Sequence, residues 1–162
     1  MSDAPVNVKA AERRTLSFSS LDDILADAEA MTESSASTGN WNAAENIYHV
    51  ALLIDFLNRG APFAVPLPMR LLGKTLKLFR IHVKPIKPGF KAPSEVENAF
   101  APPTDITLEA AKQKLRDETA YAKEHGMNYP SPLFGKLSPD DAVAMNCRHA
   151  ELHFGFIHPA DD

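Results

Sequence analysis

A single cysteine, Cys147, stands in a chain of 162 residues, so an internal disulfide is excluded, and so is a cysteine-rich zinc site. Any metal would have to rest on histidine and carboxylate. Long apolar runs are missing too. The most apolar stretch, Val50-Ala51-Leu52-Leu53-Ile54, is stopped by Asp55, far short of the ~18 residues that a membrane span requires. Met1 to Arg14 is polar and mixed in charge, without the hydrophobic region of a secretory signal, and a soluble, cytoplasmic protein is expected. Nor is there an excess of positive charge. Seventeen Lys and Arg against 21 Asp and Glu leave a formal net charge of -4, which argues against a general nucleic-acid binder. Strand-like alternation and internal repeats are also absent, leaving helices as the material of one domain at this length.

What is present is a set of well-punctuated helical segments. Ser20 and Asp23 have capping-box spacing, with Phe18 placed for a hydrophobic staple, and Leu21, Ile24, Leu25 and Ala28 recur as one buried face; the first helix is expected over Leu21–Met31. Asn42 and Glu45 repeat the capping-box spacing ahead of a second helix, Asn42–Leu57, which ends before Gly60 and is apolar nearly all round. Such a helix is expected to be central. Thr107 caps a third helix, Leu108–Glu124, stopped by Gly126, with Leu108, Ala111, Leu115 and Ala122 as its apolar face. Ser138, Pro139, Asp140 and Asp141 open the last, Pro139–Phe156.

Between the second and third helices, residues 61–103 carry prolines at 62, 66, 68, 85, 88, 93, 102 and 103. They are expected to form a long crossover with one short helix, Met69–Phe79. This stretch is locally basic, since Arg70, Lys74, Lys77, Arg80, Lys84, Lys87 and Lys91 occur with no acid between the first and the last. An anion or membrane-surface patch is one reading. The acidic total and the interrupting prolines favour a solvated crossover.

The chemistry-bearing residues are histidines. At about 100° per residue, His149 and His153 lie roughly 40° apart on one face of the last helix and can reach a common point. They share that face with Ala142, Met145, Leu152 and Phe156, so they must find hydrogen-bond acceptors or a metal. A zincin motif is excluded, because Ala150 occupies the position of its general base and Glu151 is turned away. His49 lies in the apolar second helix among Trp41, Leu52, Leu53 and Phe56, where an unpartnered imidazole is costly. A satisfied core pair and a lone core histidine remain the alternatives to a metal site. Glu45, one turn before His49, could serve as base, fourth ligand or capping acid, and the cap is preferred. Asp55 is about 120° off the bearing of His49. Cys147 faces away from the histidine pair and reads as a small apolar residue.

A helix-two histidine followed by His-x-x-x-His in the final helix of an all-helical chain resembles the DinB/YfiT-like superfamily, four-helix bundles in which three such histidines bind a divalent metal. Within it, Arg13-Arg14-Thr15-Leu16-Ser17-Phe18, Gly39-Asn40-Trp41, Pro88-Gly89-Phe90, Phe134-Gly135-Lys136-Leu137 and Arg148-His149-Ala150-Glu151-Leu152-His153 resemble a bacterial domain family of uncharacterised function. Members often carry a histidine before the Pro-x-Phe-Gly element, where this chain has Ser131. The resemblance implies an all-α, DinB-like four-helix bundle over residues 18–158, with a long crossover between helices two and three and a flexible segment at 1–17. It implies a divalent ion, nickel or zinc first and iron or cobalt next, on His49, His149 and His153. The implied chemistry is thiol S-transfer or a related hydrolase or isomerase reaction on a small molecule or low-molecular-weight thiol. The alternative is a non-catalytic binding or stress-response module. A homodimer is also expected, from the resemblance and from Phe154 and Ile157 near the chain's end as apolar residues left to bury.

Overall fold

The computed structural model describes residues 6–89 and 94–160; Phe90, Lys91, Pro93 and the first five residues of the segment expected to be flexible lie outside the described residues. The fold is mostly helical. Helix α1 spans Leu21–Glu29 and α2 Ala43–Arg59, and both open on the expected capping boxes, Ser20 with Asp23 and Asn42 with Glu45. After the crossover come α5, Leu108–His125, capped by Thr107, and α6, Pro139–Phe154, capped by Ser138. Each cap satisfies a first-turn N–H that the helix itself cannot, so these starts fall within a residue of where the sequence puts them. The ends are less regular. Helix α1 stops two residues before the expected Met31, and α6 two before Phe156.

These four helices share one core. Helix α2 lies against α5 and α6, and α1 rests on the same two. Ile24, Ala28, Ile47, Val50, Ala51, Ile54, Ala111, Leu115, Ala150 and Phe154 are fully enclosed at the centre. Because α2 buries all of its circumference except the stripe Glu45, Tyr48, Leu52, Asp55 and Arg59, and Ile54 lies opposite that stripe, small losses there should register: Ile54→Val is expected to cost about 1 kcal/mol, measured as a shift in the denaturation midpoint at unchanged slope.

Two corrections concern the chain ends. A short antiparallel pair, β1 (Ala36–Ser37) with β2 (Ile157–His158), was not expected; two-residue strands are too short to show an alternating pattern. In the segment 1–17 assigned outside the domain, the described residues Arg13 and Arg14 bond to it. Arg13 Nη2 donates to the carbonyls of Glu151 and Leu152 at the end of α6, while Arg14 pairs with Asp27 at 2.8 Å and reaches the Phe154 carbonyl. Arginines so placed satisfy terminal helix carbonyls and suit the negative helix end. The apolar patch expected from Phe154 and Ile157 is not at the surface either. Both are buried within the chain, Phe154 edge-on to Phe18 with ring centroids 6.3 Å apart, so neither is available to a second copy.

The crossover is more ordered than its prolines suggest. It holds α3 (Leu67–Leu78), a 3-10 turn (Ile81–Val83) and α4 (Ser94–Phe100). Pro66 and Pro68 sit at the start of α3, where a missing N–H costs nothing. Helix α3 seats itself through Gly73, whose position leaves no room for a side chain: a Cβ there would stand 2.1 Å from the Leu133 carbonyl oxygen. Gly73→Ala is therefore expected to loosen α3 although alanine favours helix by up to about 1 kcal/mol. Faster amide exchange across Leu67–Leu78, with α2 unchanged, is the expected reading. No described helix is long and apolar enough to cross a membrane.

Candidate metal centre

Three side chains from two helices meet near the core. His49 projects from α2, and His149 and His153 from successive turns of α6. The ring centroids form a near-equilateral triangle, 4.9 Å for His49–His149, 4.3 Å for His49–His153 and 4.6 Å for His149–His153. One ligand nitrogen from each lies within 4.8 Å of the other two. The helical spacing alone brings the α6 pair together, whereas the third arm depends on the packing of α2 against α6.

The surroundings are aromatic and short of charge. The Trp41 ring stacks on His153 at 5.7 Å and lies 4.6 Å from His49. Phe100, at the end of α4, covers His49 from the other side with centroids 5.6 Å apart, held by edge-on contacts with Phe56 and Phe63. No carboxylate is recorded against the three rings among the described residues. Glu45 is the capping acid, accepting from Asn42 N. Glu151 accepts from Phe18 N and pairs with Arg148, and Asp55 pairs with Lys114 and Arg59. Cys147 is also turned away, its thiol directed to the Ser20 carbonyl at 3.7 Å and pushed up to about 11 by burial. A thiol held protonated is a poor nucleophile.

Hydrogen bonding settles the state of His49. Its Nδ1 lies 2.7 Å from the Phe100 carbonyl oxygen; a carbonyl can only accept, so Nδ1 carries the hydrogen and, in the neutral ring, Nε2 presents a bare lone pair. That lone pair faces His149 Nε2 at 3.1 Å. Without an ion, His149 Nε2 donates to that lone pair; His149 Nδ1 is buried with no hydrogen-bond partner, so it is free to take the proton when Nε2 turns to a metal. Burial keeps all three rings neutral. It lowers the His49 pKa to about 4, against the raising effect of the Phe100 bond. His149 and His153 retain some exposed surface, yet both are held well below the ordinary value, first by desolvation and then by neighbouring imidazoles; for His153 the Arg13 charge adds to this.

The donor set could hold a divalent ion. Imidazole nitrogens about 2.0–2.1 Å from one ion and roughly 90–110° apart stand about 3 Å from each other, the separation found between His49 and His149 Nε2. Three neutral nitrogens without a bound carboxylate or thiolate are the composition of an open rather than a closed zinc-type site.

The model of the family described as "Protein of unknown function (DUF1569)" matches residues 10–160. The chain belongs to this family. His49, His149 and His153, together with Trp41 and Phe100, fall inside the span matched by DUF1569. No curated protein and no solved structure matches the chain.

Sequence reasoning named the three histidines and the neighbouring Trp41, and the structure brings them together. It missed Phe100, because a backbone carbonyl carries no side-chain signature and the segment supplying it reads as an irregular crossover.

Proposed function

We propose that this chain is a DinB-like four-helix-bundle protein, α1, α2, α5 and α6 forming the bundle, that binds one divalent metal through His49, His149 and His153. The observation that carries the reading is the approach of two bare-capable Nε2 atoms to 3.1 Å inside a part-buried triangle of imidazoles with no carboxylate against it among the described residues. Neutral nitrogen donors of this kind suit nickel or zinc first, with iron or cobalt next. When bound, such an ion supplies Lewis acidity, lowering the pKa of a water or thiol that reaches it.

The chain's own residues do the rest. Phe100 orients His49 as an outer-shell acceptor and holds it in the tautomer that exposes Nε2. Trp41 and Phe100 wall the site with apolar surface and limit water. With no described carboxylate beside the rings to act as a base, the activity this arrangement suits is one in which the substrate supplies its own acidic group. A low-molecular-weight thiol does so, which favours thiol S-transfer, or a related isomerase or hydrolase reaction, over a base-driven hydrolysis.

The test is elemental analysis of protein purified without a histidine tag or chelator, followed by a thiol-transfer screen with the metal found. Stoichiometric metal and thiol-dependent turnover are expected. Metal without turnover across the common cellular thiols would move the reading to a non-catalytic metal-binding module.

A further inference from the structure

Helix α3 is turned the wrong way round for a solvated crossover. At about 100° per residue, Leu67, Leu78 and Leu71 fall within roughly 40° of one another, and Phe79 and Leu72 extend the same side to about 140°. This is the side that faces water: Leu78 is 83% exposed, Phe79 67% and Leu67 64%. Isolated apolar residues on a surface need no explanation, but a contiguous stripe along one helix does.

The orientation is built in. Gly73 lies about 170° from the middle of the stripe, and it is there that α3 meets the Leu133 carbonyl so closely that only glycine fits. Seating α3 by that contact forces the leucines outward.

Positive charge flanks the stripe. Arg70, Lys74 and Lys77 line one edge of α3, and neither Arg70 nor Lys74 has an ion-pair partner among the described residues. Beyond the helix, Lys84 and Lys87 are exposed. From residue 56 to residue 94 the chain contains no Asp or Glu. Lys74, Lys77, Arg80 and Lys136 also border a surface cavity of about 560 Å³ beside α3, with Asp141 as its one acid. Of these, Arg80 is already paired with Asp141 at 2.9 Å and Lys77 with the Lys136 carbonyl, which leaves Lys74 and Lys136 as its uncommitted cations.

We propose that α3 is a peripheral docking helix for an anionic phospholipid surface, its leucines and Phe79 entering the boundary between headgroups and acyl chains while Arg70 and Lys74 meet lipid phosphates. An apolar face bordered by cations, on a helix too short and polar to span, is the arrangement that lies in the membrane plane. Charge complementarity selects this occupant over a second copy of the chain. Two α3 helices meeting across a two-fold axis would bring together surfaces that carry cations and no acid to pair with them. The metal proposal plays no part in this inference.

Vesicle co-sedimentation of the full chain tests it, with phosphatidylcholine alone and with phosphatidylcholine mixed with phosphatidylserine. Binding is expected only to the mixed vesicles and should fall as salt rises from about 0.1 M to 1 M. Each of Arg70→Gln and Lys74→Gln should weaken it about five-fold, and Leu78→Glu should abolish it. These positions are exposed, so circular dichroism and metal content should match the wild type. Equal binding to neutral vesicles, or none to either, would overturn the proposal. So would a dimer in light scattering that Leu78→Glu dissolves, which would assign the face to a second copy and revive the homodimer expected from the sequence.

Discussion

Replacing His149 with alanine is expected to lower divalent-metal affinity by at least roughly 100-fold, since losing even an outer-shell partner of a ligand costs about 10–100-fold. His149 Nε2 stands 3.1 Å from His49 Nε2, and its removal leaves two imidazoles with no described carboxylate to substitute. His49→Ala should have the same effect and should also orphan the Phe100 carbonyl that now accepts from Nδ1. Two controls separate ligation from a general effect of mutation. Cys147→Ala should retain metal, because that thiol points to Ser20 on the far side of α6. His125→Ala should retain it as well, since that ring sits against Tyr121 at the exposed end of α5. Metal per chain, measured after chelator-free purification, is the readout. Full occupancy in either His49→Ala or His149→Ala would sink the three-histidine site.

The second large effect is acid sensitivity of the chelator-treated protein. Burial lowers the folded-state pKa of His49 to about 4, against about 6.5 for an unhindered imidazole. Between these values the unfolded chain binds a proton that the folded chain does not, so stability is unaffected by this group above about pH 6.5 and falls as pH drops toward 4. A difference of this size corresponds to roughly 3 kcal/mol from His49 alone, and His149 and His153 act in the same direction. Against a typical total of about 5–15 kcal/mol this is a large share. The carboxylates whose pKa is lowered are Asp23 by bonds from Ser19 and Ser20, Glu29 by Arg116, and Asp141, where desolvation is outweighed by His82 and Arg80; they lose their contribution as pH falls from the ordinary carboxylate value of about 4 through their lowered ones. The two windows are therefore distinguishable. Urea denaturation at pH 7 and pH 4.5 should show the loss, and His49→Gln should lessen it. A wild-type profile flat across this interval would mean that the histidines are not buried as described. The same depressed pKa values extend metal binding below the pH near 6.5 at which free imidazoles would begin to protonate, because protons compete less well for a buried ring.

Much of the fold can be read from residues no more than four apart. The capping boxes at Ser20–Asp23 and Asn42–Glu45, the caps at Thr107 and Ser138 and the apolar face Leu108, Ala111, Leu115 and Ala122 all lie where local spacing puts them, because a helix start is decided by which side chain satisfies its first N–H groups. The pairing of His149 with His153 is legible for the same reason. What only the tertiary structure decided depends on contacts between distant parts of the chain. His49 joins a partner 100 residues away through the packing of α2 on α6, and Phe100 fixes its tautomer with a carbonyl that any residue type would carry. Phe154 and Ile157, apolar in sequence, are core rather than surface, enclosed once the N-terminal arginines and the β1–β2 pair close over the end of α6. Helix α3 shows the limit most clearly. Its periodicity identifies a helix and two unlike faces, but which face meets water was set by the close approach of Gly73 to Leu133, a steric fact between residues 60 positions apart that no local pattern encodes.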